Sequence, residues 1–366
     1  MKKHAAELNP NRNYSVDLLR IITMWMVIVL HVYLRGGITE ATSYSEMHYW
    51  SARAIRCFCI CAVNIFGLIS GYVGYKSKWK LTNIFVLWLT VAFYSVAFEF
   101  IFRLIAAGNV DLHSILWAIK KAVLAINGTY WFFKAYFLMF FFVPFMNKAV
   151  ASMNFSEHGL AAALLTLTAT AGSVFFYDIF SIKSGYHALW LAILYIDGAF
   201  LAKYQPLKKL RTWQLCLGYL ICFAVKLLSE IFDRSLWHSG IELNYASLAV
   251  LGEAVFALTI FVRISLSDAV KRIVAFVSPL AFSVYLIHDN DQLRELLIKD
   301  RFSKLAYLPS GFMILGILIS ALAIFIICAV IDFVRKKIFD FLKIKQRASA
   351  IEDKLRTKIG LTYSDV

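Results

Sequence analysis

The sequence predicts an all-α fold, a polytopic transmembrane helix bundle of about ten spans with both termini cytoplasmic. Three observations predict it. The 366-residue chain is 60% hydrophobic and only 17% charged, against about 25% charged in soluble domains. Its apolar residues fall in runs close to the roughly 20 residues that a helix needs to cross hydrocarbon. Its Lys and Arg concentrate in alternate connecting segments, as the positive-inside bias requires.

The apolar runs place spans at about 15–34, 53–74, 82–104, 130–149, 159–177, 186–203, 213–232, 244–264, 273–289 and 311–334. Ten is an even number, so both ends share a side. With that side cytoplasmic, the inner segments hold most of the 38 Lys and Arg, including nine from Arg335 onward. The net charge of +15 is spread between spans rather than massed on one soluble face, which fits a membrane protein and not a nucleic-acid partner. The opening "MKKHAAELNPNRNYS" is too polar, and the following run too long, for a cleaved leader, so the first span is expected to be kept. The six cysteines all lie inside apolar runs, and the Cys57, Cys59, Cys61 spacing fits neither a zinc pair nor a disulfide framework. They read as packing residues.

Two connecting segments on the expected outer side are long. Within 105–129, Leu112, Ile115, Leu116, Ile119 and Val123 recur at helical spacing opposite His113, Lys120 and Lys121, the pattern of an interfacial amphipathic helix. Segment 290–310 is charged and of mixed sign. Either shapes an outer site or is ordinary loop. The tail "RKKIFDFLKIKQRASAIEDKLRTKIG" reads as a basic helix on the inner leaflet, drawn to anionic lipids.

The first span, "DLLRIITMWMVIVLH", carries three costly groups. Arg20 and His31 are eleven residues apart, within about 20° of a whole number of turns, so they share a face about 16 Å apart along the axis. Asp17 lies near the same stripe, within reach of Arg20 as an ion pair. Ionisable groups in spans usually face the bundle interior or a cavity. The alternative is a structural pair near the headgroups and an interfacial histidine.

In the second span Arg56, Val63, Gly67 and Ser70 lie near one stripe. The Gly67/Gly71 pair reads first as close helix packing. Ser70 falls at the depth of Arg20 and is followed by Lys76, Lys78 and Lys80, a positive inner corner suited to a phosphorylated ligand. The fourth span opens with Tyr130, Trp131 and Lys134. Tyr130 and Trp131 are belt anchors or site residues, and Lys134 snorkels or reaches the site. Pro144 leaves the Phe140 carbonyl without its helical donor and should bend this span. In the ninth span Ser283, Tyr285 and His288 approach the outer end, which brings His288 to the depth of His31. Lys226 and Glu230 read as an i,i+4 ion pair, while Asp197 and Glu253 face the interior with no assigned role. No metal cluster, phosphate loop or dinucleotide fingerprint is present.

Four stretches in order then resemble the acyltransferase 3 family of bacterial integral-membrane acyltransferases: "DLLRIITMWMVIVLH" with its Arg-x10-His spacing, "VNIFGLISGY", "YWFFKAYFLMFFFVPFMN" and "SPLAFSVYLIH". The resemblance spans about residues 14–290. It implies transfer of an acyl group, usually acetyl from acetyl-CoA, to a hydroxyl of a surface glycan or its lipid-linked precursor. By the same resemblance His31 is the catalytic histidine and Arg20 part of donor binding or site architecture. It implies a transmembrane domain over 1–334 with a basic cytoplasmic tail over 335–366, in a bacterial cytoplasmic (inner) membrane. Acetyl-CoA is then a co-substrate rather than a resident cofactor, and the other partners are the glycan acceptor and membrane lipids. One departure is that Lys78 and Lys80 stand where the family often has an arginine pair.

The expectation is that CoA phosphates bind near Arg20, Lys76, Lys78 and Lys80, and that the pantetheine arm runs up the first-span stripe to His31. His31 then acts as general base or forms an acyl-histidine, and Arg56 or Lys134 stabilises the oxyanion. The rival is a transporter or flippase for lipid-linked sugars using the same charged stripe.

Overall fold

A computed structural model describes residues 8–10, 12–42, 47–107, 112–123, 130–175, 180–232 and 244–360. Among them every regular element is helical. The order is α1 (Tyr14–Arg35), α2 (Ile38–Ala41), α3 (Met47–Cys59), α4 (Ala62–Gly74), α5 (Leu81–Ala107), α6 (Leu112–Val123), α7 (Trp131–Ser152) and α8 (Phe155–Phe175). There follow α9 (Ala188–Tyr204), α10 (Thr212–Phe232), α11 (Leu248–Val262), α12 (Asp268–Val277), α13 (Ala281–His288), α14 (Asp291–Leu297), α15 (Ser310–Phe341) and α16 (Ile344–Ile359). The long apolar helices make this a polytopic transmembrane bundle. Among the described residues seven helical stretches are long and apolar enough to cross a membrane, taking α3 with α4 and α12 with α13. The other three expected spans fall on α8, α9 and α11, of 21, 17 and 15 residues.

α1 begins where Asn13 caps it, its side chain accepting from the amides of Ser15 and Val16, which satisfies donors that the first turn leaves free. It ends at Gly36, and Gly37 turns the chain away at φ +82. The chain then meets the segment after α14: Asp300 N donates to Arg35 O and Phe302 N to Gly36 O. That segment covers the His31 end of α1.

The expected second span is two helices. The chain turns at Ile60–Cys61, and Lys226 Nζ from α10 donates to the Cys57 carbonyl beside the break. Hydrocarbon offers no water to a freed carbonyl, so this ammonium makes the interruption tolerable. After the break, α4 lies along α9 at backbone contact. A Cβ on Gly71 would stand 1.9 Å from Tyr195 O, and one on Gly198 2.0 Å from Leu68 O. The Gly67/Gly71 stretch is therefore a packing surface.

In α7 Pro144 removes the donor to Phe140 O, and the helix stays continuous because Trp79 Nε1 donates to that carbonyl at 3.0 Å. The ninth span is broken by a 3-10 turn at Ser278–Leu280 around Pro279. α15 runs through the expected boundary at 334/335 to Phe341, and α16 follows after a left-handed Lys343.

α6 leaves Leu112, Ile115, Leu116 and Ile119 exposed, along with His113 and Lys120. The side chains of Lys121 and Val123 lie outside the described residues. All six cysteines are free, and four of them are buried.

Candidate functional site

His31 stands one turn before the end of α1, and α13 presents His288 to it. The two rings lie with centroids 5.0 Å apart, and His31 Nδ1 is 3.0 Å from His288 Nε2. His288 Nδ1 is in turn 2.6 Å from the carbonyl oxygen of Val284, one turn back along α13. Behind the pair Asp289, 2% exposed, faces His31 Nδ1 at 3.8 Å, Arg35 at 3.5 Å and Arg294 at 3.2 Å. Tyr130 fixes the end of α13 by donating to Leu286 O at 2.8 Å, and Asn290 Nδ2 donates to the Tyr130 hydroxyl at 3.2 Å.

His31 opens onto a cavity of about 150 Å³, several times the 10–15 Å³ that one water requires. Met24 and Val27 line it from α1, Val63 and Phe66 from α4, Trp131 and Phe132 from α7, and Phe282 and Tyr285 from α13. Residues 20, 24, 27 and 31 form one helical stripe, so the cavity descends from His31 along the face that carries Arg20 and reaches the turn above it. Arg35 also lines the cavity. Tyr285 is buried, and its hydroxyl lies against the backbone of Phe132 at the start of α7.

One wall is aromatic. Trp131 lies 4.5 Å from Tyr186 and stacks on Tyr245 at 5.7 Å and 19° between planes. Backbone hydrogen bonds hold the segments that carry the two tyrosines. Tyr245 N donates to Ser184 O, and buried Asn64 donates to Tyr245 O while accepting from Trp190 Nε1. Lys183, Ser184 and Gly185 all have positive φ, a strained run that persists only where its surroundings over-determine it.

At the other end of the stripe Asp17, 3% exposed, holds Arg20 at 2.6 Å and Arg12 at 2.5 Å and accepts from Ser278 Oγ at 3.2 Å. Ser70 Oγ is spent on Phe66 O. Lys76 and Lys78 are exposed and Lys80 is half-buried. The structure thus gathers His31, Tyr285 and Trp131 at one cavity, with His288 buried behind His31 and Asp17 and Arg20 on the same face of α1 below.

Arg56 and Lys134 do not line that cavity. Arg56 pairs with Glu230 at 2.8 Å, and Arg53 joins the same carboxylate at 3.1 Å; Lys134 is half-buried. This corrects the expected Lys226–Glu230 pair. Lys226 instead pairs with Glu253, which is completely buried and meets no other cation among the described residues, whereas Glu230 meets two guanidiniums from α3. Asp197 accepts from Thr166 Oγ1 at 2.8 Å.

Sequence reading did not single out Asp289, Arg294, Tyr186 or Tyr245. Asp289 follows the quoted "YLIH" directly, so a charged residue at the mouth of a span was the available signal. The two tyrosines fall at the start of the expected sixth and eighth spans with no signal beyond their aromatic character, and the structure leaves both in the segments before α9 and α11.

Among the described residues no group of three or more His, Cys, Asp or Glu forms a metal cluster. No curated protein and no solved structure matches the chain. Protein-family comparison matches residues 13–333 to the acyltransferase 3 family, described as an acyltransferase domain. The matched region includes α1, α4, α7 and α13, the helices around the cavity, and the chain belongs to that family.

Proposed function

We propose that the protein moves an acetyl group from cytoplasmic acetyl-CoA to a hydroxyl of a cell-surface polysaccharide or its lipid-linked precursor, in a bacterial cytoplasmic membrane. Membership of an acyltransferase family supports acyl transfer in general. The observation that carries the finer reading is the cavity that joins His31 to the α1 stripe leading toward Arg20. A donor with an anionic head near Arg20 and the inner lysines, and a narrow arm along that stripe, would present its thioester at His31. The 16 Å between Arg20 and His31, by the helical rise, suits an extended pantetheine arm.

The aromatic wall supports a glycan acceptor. Trp131, Tyr186 and Tyr245 offer flat faces beside the histidine, and such faces with a few polar groups make a site that orients a sugar ring.

In the step itself His31 removes the proton of the sugar hydroxyl as its oxygen bonds to the thioester carbon. The C–S bond then breaks, and the proton passes from His31 to the departing thiolate, giving the ester and free CoA thiol. In this reading the Tyr285 hydroxyl donates to the carbonyl oxygen as charge develops there, which its position in the cavity lining supports.

The test compares alkali-labile acetyl content of surface glycans by proton NMR in wild-type, deletion and His31→Ala strains. Loss of the signal in both mutants, with His31→Ala protein still in the membrane, is expected. Full acetylation by His31→Ala would overturn the mechanism. Unchanged acetylation in the deletion strain with altered glycan export would favour a transporter.

A further inference from the structure

We infer that His288 is a positioning residue that holds His31 in the tautomer with its proton on Nδ1, leaving the Nε2 lone pair free for the substrate hydroxyl. The inference rests on the reading of His31 as the base of acyl transfer. It follows from the hydrogen-bond chain taken from its fixed end. The Val284 carbonyl only accepts, so His288 Nδ1, 2.6 Å away, must carry a proton. A neutral His288 then has a bare Nε2. That nitrogen stands 3.0 Å from His31 Nδ1, and two lone pairs facing at that distance would repel, so the proton between them belongs to His31. A neutral His31 protonated on Nδ1 has its lone pair on Nε2.

An isolated histidine side chain in water favours the opposite tautomer, with the proton on Nε2. Such a ring would offer a donor to the cavity and could not take a proton from an alcohol. The orientation of a ring nitrogen set by the bond its neighbour makes is a general device. Here the supporting acceptor is itself oriented by its own helix. His288 is 3% exposed and ends α13, and Tyr130 tethers the same turn through Leu286 O. When His31 takes up the substrate proton, its Nδ1–H keeps the bond to His288, and the Asp289 carboxylate faces the new charge from 3.8 Å.

The competing arrangement is a doubly protonated His288 that donates to both Val284 O and His31 Nδ1. It would leave His31 with Nε2–H and no basic nitrogen toward the cavity. The two arrangements differ in which His31 nitrogen bears the proton, and nitrogen NMR distinguishes them without any assay of activity.

The experiment is solid-state NMR of the full-length protein in lipid nanodiscs with 15N-labelled histidine, His31 being assigned from the His31→Ala spectrum. Activity is measured in parallel for His288→Phe and His288→Gln. In the wild type, His31 should show a protonated Nδ1 and a bare Nε2. His288→Phe should shift His31 to the Nε2–H form and lower kcat by about 100-fold or more with little change in donor KM. His288→Gln, whose side-chain carbonyl can accept the same proton, should stay within about tenfold of wild type.

A wild-type His31 with Nε2–H overturns the inference, as does a His288→Phe protein with wild-type kcat. The expected tautomer in a protein that transfers no acyl group would instead count against the functional reading, so the two fail separately.

Discussion

Glu253 and Lys226 illustrate how little a single residue reveals of its partner. Glu253 is completely buried and Lys226 is 1% exposed, so each charge depends on the other, and Lys226 also serves the Cys57 carbonyl at the helix break. Removing one member of a buried pair leaves the other uncompensated, at a cost of about 3–5 kcal/mol, whereas removing both costs far less. Lys226→Met should therefore lower the thermal midpoint markedly. Lys226→Met with Glu253→Gln should regain most of the loss, the remainder being the Cys57 carbonyl. With exposed Cys216 replaced by Ser, the four buried cysteines make a thiol-reactive dye a suitable reporter of unfolding in detergent. Additive losses in the double variant would show that the pair is not coupled. The same residues mark what sequence reading could reach. Arg20 and His31 were legible as one face because helical periodicity fixes both on one element. Partners 27 residues apart, such as Lys226 and Glu253, or 257 apart, such as His31 and His288, depend on which helices meet, and periodicity does not determine that.

Elements, too, are completed by groups that lie far away in the chain. Pro144 predicted an orphan carbonyl at Phe140 from sequence alone, but the indole of Trp79 that satisfies it was not predictable. Trp79 also links α7 to α16, since Arg356 donates to its carbonyl at 3.2 Å. On α16, Glu352 caps α5: its carboxylate accepts from Leu81 N at 3.0 Å, Thr82 N at 2.8 Å and Thr82 Oγ1 at 2.6 Å. The expected basic tail helix is thus pinned by an acidic residue, while Ile351, Leu355 and Ile359 remain exposed beside its cations. Burial pushes the Glu352 carboxyl up, but the bonds from Thr82, Arg356 and Leu81 outweigh it and hold the group below its ordinary 4.5. A carboxylate with a lowered pKa contributes stability that is complete above the unfolded value and is lost as pH falls through the lower folded value. Hydrogen exchange of α16 amides, corrected for intrinsic rates, should therefore stay protected at neutral pH and lose protection only below about 4.5. Glu352→Ala should raise α16 opening at neutral pH by roughly 2- to 30-fold, the range that loss of a helix cap of about 0.5–2 kcal/mol implies. Unchanged exchange in that variant would mean that apolar contacts alone hold the helix.

For the whole molecule, bilayer membership was the easiest property to read, because hydropathy needs only composition and run length. Helix breaks at Ile60–Cys61 and the assembly of the cavity were harder, because both arise where separate runs meet. The orientation of the bundle links these scales. Val63 and Phe66 at the start of α4 line the cavity with His31, so Lys76, Lys78 and Lys80 beyond the end of α4 lie toward the Arg20 end of α1. Segment 291–307 covers the opposite end through Arg35 and Gly36. If the donor enters from the cytoplasm and the acceptor from outside, these two ends must face different compartments, with the lysine-rich end inward. Single cysteines at exposed Ser77, Gln346 and Lys299, in a background where exposed Cys216 is replaced by Ser, report each side. In intact spheroplasts a membrane-impermeant maleimide should label Lys299→Cys, and Ser77→Cys and Gln346→Cys should react only after permeabilisation. Labelling of positions 77 and 299 from one side would place His31 and the lysine corner in contact with a single compartment. Transfer across the bilayer along the α1 stripe would then be wrong, whatever the acyl group and acceptor prove to be.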